Sequence, residues 1–409
     1  MRKDIHIGTL KIGDTSVEAE GLKGIDDAKT ECDLDDVHDW DLKIINEGQD
    51  SEYIVQHISQ LILVRQKTCE TSVKRQKMYF LTIHGTRYTN DVIATAAFGI
   101  SVNSMRDKDN DFYVNGKDAT SFQGFWKTIK FIMFRICPSI LRLTGDSFIS
   151  GDTTFFRTLI QDAVKARDEK GIVRPDMIHL LMQARDSERI TLSTDDIVAQ
   201  AFVFFLAGFE TVSTLMCYML HELVLNPDIQ QKLREEVDQV TSGADGEVTY
   251  EMLQKMKYMD MVISETLRKH PPVPVTDRVC VKSFKLPQSM PGYNDVTLDK
   301  DSIVWIPIHA FHHDPQYFPD PYKFDPERFN DENKDKIVPY TYFPFGLGPR
   351  ICIGNRFALM ETKMIMTHLV QNFLFKRTEK TLDSTKFTLK SLTVLPEEGF
   401  WLQLEPRKI

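Results

Sequence analysis

The chain has 409 residues, of which 42% are hydrophobic and 27% are charged. These proportions are typical of soluble globular proteins, and they exclude a collagen, a coiled-coil rod and a wholly disordered chain. The 50 Lys and Arg residues against 59 Asp and Glu residues give a formal net charge of −9. A general nucleic-acid binder needs a basic face, so that class is disfavoured as well.

Cysteine usage and apolar runs bear on the cellular compartment. Six cysteines without a CxxC pair are too few for a disulfide scaffold in a chain of this length, and they favour a reducing compartment. Residues 1–30 contain no apolar run, so we expect no signal peptide or N-terminal anchor. The most apolar stretch, 197–225, contains Glu210, His221 and Glu222, and we interpret it as a buried helix.

The predicted elements follow in chain order. Residues 1–85 are predicted to be an atypical acidic segment, partly disordered, with an amphipathic helix at 53–64. From Thr86 the composition is that of one folded domain, 86–409. Apolar periodicity and capping residues predict helices at 89–98, 155–167, 176–185, 193–225, 227–240, 253–270 and 356–372. Short β-prone runs predict strands at 278–281, 296–298, 302–306 and within 387–404.

The predicted helix from Ser193 to Leu225 is the longest element. Ser193 and Asp196 have the spacing of a capping box, and Asn226-Pro227 ends the pattern. At 1.5 Å per residue the helix spans roughly 45 Å, so we expect it to cross the domain through its core. The predicted fold is mainly α with a minor β part.

The most specific motif is F-x-x-G-x-R-x-C-x-G at 345–354, before the helix 356–372. A cysteine just before a helix lies where backbone N–H groups stabilise a thiolate, and Gly348 and Gly354 permit tight turns. Arg350 is a cation suited to a carboxylate. A buried structural cysteine beside a turn is the alternative, but five matches at fixed spacing occur by chance in about one chain in 10⁴.

Two further patterns are weaker. Gly208, Glu210 and Thr211 lie inside the long helix, where a glycine costs about 1 kcal/mol; a functional site and close packing are equally good explanations. Glu265 and Arg268 share one helix face at i,i+3, a spacing that usually indicates a surface ion pair of little energetic value.

The three motifs, taken in their order along the chain, resemble those of the cytochrome P450 superfamily, and the resemblance covers residues 86–409. Residues 86–99 and 205–214 are most similar to insect detoxifying members of the microsomal type. The resemblance implies a P450-like single large domain built around a long central helix. It also implies a haem-thiolate monooxygenase that inserts one oxygen atom of O2 into a lipophilic small molecule, either a xenobiotic or an endogenous compound.

The resemblance assigns roles to residues of this chain. Cys352 is the axial thiolate of haem b, with Phe345, Gly348 and Gly354 beside the macrocycle and Arg350 and Arg278 near its propionates. Thr211 and Glu210 support protonation of bound dioxygen. Glu265, Arg268 and Arg328 form a buried ionic cluster that serves folding. Mostly apolar positions of this chain match the family's substrate pocket: Val203, Leu206, Ala207, Val273, Val275, Leu392 and Thr393.

Partners and location follow from the same resemblance. No nicotinamide or flavin fingerprint is present in the sequence, so electrons from NADPH are expected through a separate reductase, the NADPH-cytochrome P450 reductase. The family expectation is the cytosolic face of the endoplasmic reticulum membrane. Residues 122–143, apolar with interspersed Lys and Arg, resemble a membrane-dipping loop, and an internal helix pair explains them equally well.

The N-terminal region departs from the family. The membrane anchor, the β-rich region and the W-x-x-x-R helix of microsomal members are not recognisable before Thr86. The alternative function is therefore a catalytically impaired remnant of the family that acts as a scaffold or has no function. A hydrolase with Cys352 as nucleophile lacks a supporting pattern, and the His309, His312 and His313 cluster is a poor match for a zinc site.

Overall fold

The computed structural model describes residues 79–120, 129, 153–187, 192–243, 247–286, 296–383, 387–388 and 393–407. The predicted helix 53–64, the segment 122–143 and Leu392 lie outside these residues. The chain forms two compact units. The first contains the described residues up to Met256 and those from Ile353 onward, and the second is Lys257–Cys352.

Among the described residues of the first unit, seven helices precede Met256 and one follows Ile353. They are α1 (Leu81–Phe98), α2 (Asp111–Thr120), α3 (Thr153–Lys170), α4 (Met177–Arg185), α5 (Thr194–Leu225), α6 (Pro227–Val240), α7 (Tyr250–Lys255) and α10 (Asn355–Asn372). The second unit contains α8 (Lys257–Lys269) and α9 (Ile308–His312). The mainly α prediction with a minor β part is confirmed.

The long helix α5 has the predicted ends. Ser193 accepts from the backbone N–H of Asp196, and the Asp196 carboxylate accepts from the backbone N–H of Ser193, which completes the capping box. Among the described helices, α5 is the one long and apolar enough to cross a membrane, but 61% of its most apolar window is buried inside the protein. It is therefore interpreted as a core helix.

Phenylalanine rings join α5 to its neighbours in the first unit. Phe205 has none of its side chain exposed, and its ring centroid lies 5.3 Å from that of Phe112 and 4.6 Å from that of Phe156. Edge-to-face and tilted packing of this kind stabilises aromatic pairs beyond their buried area. A Cβ on Gly116 of α2 would clash with the Phe205 ring, so α2 requires glycine there.

Two helix predictions were wrong at their ends. Helix α1 begins at Leu81 instead of residue 89. Its first turns have weak helix propensity, and packing against α5 overrides it. The two helices are close there, since a Cβ on Gly85 would lie 3.3 Å from Ser213 Cβ. The predicted helix 253–270 is two helices, since Met256 leaves the helical conformation with ψ 78°. Thr249 caps the first of them by accepting from the Met252 N–H.

The strands form small antiparallel sheets. In the first unit, β9 (Trp401–Pro406) pairs with both β1 (Tyr79–Phe80) and β6 (Phe373–Lys376), and β7 (Phe387–Thr388) pairs with β8 (Leu395–Pro396). Strand β6 begins directly after α10 and was not predicted. In the second unit, β2 (Thr276–Val279) pairs with β5 (Ile303–Ile306), and β3 (Phe284–Lys285) pairs with β4 (Thr297–Leu298).

Candidate active site

The loop that carries Cys352 is closed by its own backbone. The Cys352 N–H donates to Phe345 O at 2.8 Å, and Gly346 and Gly348 turn the chain with φ of 76° and 73°. A Cβ on Gly348 would meet nothing within 4 Å, so the left-handed backbone, and not lack of space, requires glycine there. The result is a rigid turn with Cys352 at its end.

The Cys352 side chain is exposed, so the alternative of a buried structural cysteine is wrong. Two apolar residues near it in the sequence, Leu347 and Ile353, are also exposed, at 42% and 41%. Arg350 lies in the turn Gly348–Arg350 and is exposed too. An accessible sulfur in a loop that also exposes apolar side chains and a cation fits a flat apolar macrocycle that carries carboxylates, as in haem.

The long helix presents an open stretch around Thr211. Ala207 is exposed, and Val203, Leu206 and Thr211 are half-buried, although most residues of α5 are buried. The Thr211 hydroxyl donates to Ala207 O at 2.7 Å. Such a bond to the preceding turn leaves the lone pairs of the hydroxyl oxygen available as acceptors. Glu210 is half-buried beside it.

Gly208 has a packing role. A Cβ at this position would lie 3.1 Å from Ile93 Cδ1 on α1, which is closer than ordinary van der Waals contact. Nearby, Thr89 of α1 donates a buried hydrogen bond of 2.6 Å to Phe209 O. Gly208 and Thr89 therefore hold α1 against α5 at the turn that precedes Thr211. Sequence reasoning missed Thr89, because a threonine inside a helix carries no signal of its distant partner.

The structure brings Glu265, Arg268 and Arg328 together. Neither Glu265 nor Arg268 has any of its side chain exposed, so the interpretation of a surface pair is wrong. Arg268 donates to both oxygens of Glu265, at 2.6 and 2.9 Å, and Arg328 Nε lies 3.5 Å from Glu265 Oε1. Burial raises the pKa of Glu265, while the hydrogen bond and charge of Arg268 oppose the rise.

His312 extends this cluster towards the Cys352 loop. Arg268 donates to His312 O at 2.8 Å, and the buried imidazole accepts the Phe343 N–H on Nε2 at 3.0 Å. Nδ1 then carries the ring proton and donates to Arg268 O at 3.2 Å. Burial lowers the pKa of His312 to about 3. His312 is thus a neutral bridge to Phe343, two residues before the loop begins, and sequence reasoning missed it.

The exposure and local contacts of the other predicted site residues say less about their roles. Arg278 is half-buried on β2, where its guanidinium donates to Thr276 Oγ1 and Asp277 O. Val273 is 41% exposed and Val275 is half-buried. Thr393 is fully buried. Gly354, the residue before α10, is half-buried with open space at its Cβ position.

The predicted residues divide between the two units. Thr211, Glu210, Val203 and the other α5 positions belong to the first unit, as do Gly354 and Thr393. Cys352, Phe345, Arg350 and Arg278 belong to the second, together with the Glu265 cluster. Each unit thus contains one chemically distinct feature: the second has an exposed thiol at the end of a glycine turn, and the first has a helix face that carries a hydroxyl and an acid.

Comparison with known proteins identifies the family. The profile described as Cytochrome P450 matches residues 48–403, so the match begins within the segment 1–85 that composition alone set apart. Cytochrome P450 9e2 of Blattella germanica is 49% identical over 338 residues, which cover 79% of this chain and 62% of that protein.

Two proteins of Drosophila melanogaster are also similar. Probable cytochrome P450 9f2 is 45% identical over 79% of this chain and 64% of its own length. Cytochrome P450 9c1 is 40% identical over 84% of this chain and 68% of its own length. The matched part of the chain thus spans 62–68% of the length of these three relatives, and less than two thirds of the first two. With this match and the exposed Cys352 in its glycine turn, the chain belongs to the cytochrome P450 family.

Proposed function

We propose that this chain is a haem-thiolate monooxygenase that inserts one oxygen atom of O2 into a lipophilic small molecule. The main support for the proposal is the Cys352 loop, in which an exposed thiol ends a tight glycine turn and Leu347 and Ile353 are exposed as well. Exposed apolar side chains near a reactive group provide apolar surface that a bound ligand can cover.

The residues present fit a haem. Cys352 would supply the sulfur that binds the iron, Phe345 a ring that packs against the group, and Arg350 and Arg278 cations for its carboxylates. When bound, a cysteine-ligated haem would supply the oxidation chemistry. The protein contributes binding, orientation and control of protons and water.

Proton supply is assigned to Thr211 and Glu210. The Thr211 hydroxyl is held by its bond to Ala207 O, so its oxygen is fixed at one point of the open helix face. Because its single O–H is donated to Ala207 O, the hydroxyl oxygen can accept a hydrogen bond on the open face and so hold a water that delivers a proton. Glu210 precedes it in the sequence and, as an acid, can replenish the proton.

The expected substrate is lipophilic. The proposed pocket positions Val203, Leu206, Ala207, Val273 and Val275 are apolar, and in the structure they are exposed or half-buried. Leu392 and Thr393 complete the proposed set. Apolar linings of this kind bind ligands mainly through burial of apolar surface and give modest discrimination among them. This is in keeping with action on xenobiotics or on endogenous lipophilic compounds.

Electrons are proposed to arrive from NADPH through a separate reductase, since the sequence contains no nicotinamide or flavin fingerprint. The proposed location is the cytosolic face of the endoplasmic reticulum membrane, with peripheral contact through residues 122–143. Both proposals rest on the resemblance to microsomal family members.

A carbon monoxide difference spectrum tests the proposal. The full chain, purified with added haem and reduced, is expected to show the Soret shift typical of thiolate ligation. Cys352→Ser should abolish that shift, while Cys280→Ser, a matched control at a half-buried cysteine of the second unit, should retain it. The alternative, a non-catalytic remnant, predicts no shift in the wild-type chain and loss of haem on gel filtration, and that result would refute the proposal.

A further inference from the structure

One face of α5 changes from open to covered within a single helical turn. Val203, Ala207 and Thr211 follow at four-residue spacing, so they share a helix face. Ala207 is exposed, and the other two are half-buried. The same face continues through Thr214 and Tyr218, which are buried. An open stretch and a covered stretch therefore meet between Thr211 and Thr214.

The segment that covers the second stretch comes from the C-terminal end of the chain. Thr214 Oγ1 and Thr393 Oγ1 lie 2.9 Å apart, and Tyr218 OH donates to Val394 O at 3.1 Å. The two contacts involve a side chain and a backbone oxygen of consecutive residues. Together they fix both the position and the direction of the chain at 393–394.

An aromatic contact holds the far end of the same segment. The ring of Phe400 packs edge-on against Tyr218, with centroids 4.8 Å apart, and lies 5.8 Å from the ring of His221. Phe400 is 1% exposed. Residues 393–400 are thus attached to α5 at three successive points of one helix face.

The hydroxyl pair is the attachment nearest to the open stretch. A rise of 1.5 Å per residue places Thr214 about 4.5 Å along the helix axis from Thr211. Thr214 is 2% exposed and Thr393 is fully buried. An O–H···O bond requires a separation of about 2.5–3.0 Å, so it sets the position of the segment more narrowly than apolar packing would.

We propose that Thr214 and Thr393 are positioning residues, whose hydroxyl contact fixes where the open stretch beside Thr211 ends. The inference rests on the proposed function, because that stretch is where we place the lipophilic substrate. Thr393 then acts by holding the segment 393–394 in place. Discrimination between short and long substrates depends on this pair, while proton supply by Thr211 does not.

Hydrogen exchange measured by mass spectrometry tests the attachment in the full chain. Thr214→Val and Thr393→Val remove one hydroxyl each and keep the side-chain shape. We expect amide exchange in peptides covering 393–400 to become about tenfold faster in either variant, because a lost buried hydrogen bond eases local opening. Thr214→Ser keeps the hydroxyl and should exchange like the wild type.

Ser213→Ala is the matched control. Ser213 is the neighbouring buried residue, and its hydroxyl donates to Glu210 O within the same helix. The Ser213→Ala change removes a hydroxyl from α5 but none of the three contacts described above between α5 and residues 393–400. We expect no change in the exchange of that segment.

Optical titration of the haem-loaded protein tests the effect on ligand size. Imidazole and 4-phenylimidazole carry the same iron-binding nitrogen and differ in length. In both valine variants we expect the dissociation constant of 4-phenylimidazole to change about fivefold relative to that of imidazole. The Ser213→Ala variant should leave this ratio unchanged.

Unchanged amide exchange at 393–400 in both valine variants would overturn the inference. So would dissociation constants of imidazole and 4-phenylimidazole that change by the same factor. A wild-type chain without the thiolate Soret shift would instead refute the proposed function. The exchange measurement does not require haem, so it decides on the attachment in either case.

Discussion

Glu265→Gln removes the central charge of the buried cluster and keeps the shape of the side chain. Among the described residues, Glu265 is the one acid that forms an ion pair with Arg268, so the variant leaves this fully buried cation without a counter-charge, and the neighbouring Arg328 is itself a cation. Removal of one partner from a buried ion pair costs about 3–5 kcal/mol, because the other charge remains out of water.

The local geometry places the expected loss at the lower end of this range. The guanidinium of Arg268 keeps its bonds to His312 O and Pro321 O, each at 2.8 Å, and the Gln carbonyl oxygen can still accept one bond. We therefore expect a loss of about 3 kcal/mol. Domains are stable by only about 5–15 kcal/mol, so the variant should unfold at clearly lower urea concentration.

Urea unfolding followed by circular dichroism measures this loss, and Asp168→Asn is the matched control. Arg185 donates to both carboxylate oxygens of Asp168, at 2.8 and 3.0 Å, as Arg268 does to Glu265. The side chains of Arg185 and Asp168, however, are 20% and 45% exposed. An exposed pair is worth at most about 1 kcal/mol. Equal losses in the two variants would show that burial does not determine the strength of the Glu265 cluster.

Two further predictions concern packing and pH. Gly208→Ala is expected to lower the free energy of unfolding by about 1 kcal/mol, because overpacking against Ile93 outweighs the gain in helix propensity. Adding Ile93→Val to this variant should restore the melting temperature. If the melting temperature does not recover, the packing role of Gly208 is contradicted. Glu361 is buried on α10, and burial raises the pKa of its carboxyl well above 4.5. The protonated carboxyl therefore contributes to stability below pH 4.5, and this contribution is lost as pH rises through the folded-state pKa. Glu361→Gln should therefore have a higher melting temperature than the wild type at pH 8, and the difference should shrink towards pH 5. A difference in melting temperature that does not change with pH would contradict the raised pKa of Glu361.

Local signals in the sequence determined the chemistry and the longest element. The spacing of Phe345, Arg350 and Cys352 is contained in ten residues, and glycines fix its turn whatever lies around it. The ends of α5 were predicted for a similar reason. The capping box at Ser193 and the proline after Asn226 act through neighbouring backbone groups, so no distant contact is needed to place them.

Tertiary structure decided everything that depends on burial or on distant partners. The i,i+3 pair Glu265 and Arg268 has the same pattern on a surface as in a core, and only packing shows that water is excluded from it. Gly208 was ambiguous until Ile93 was found beside it. Thr214 and Thr393 are 179 residues apart in the chain. A side chain carries no local mark of a partner at that distance, because the contact exists only once the segments between them have folded.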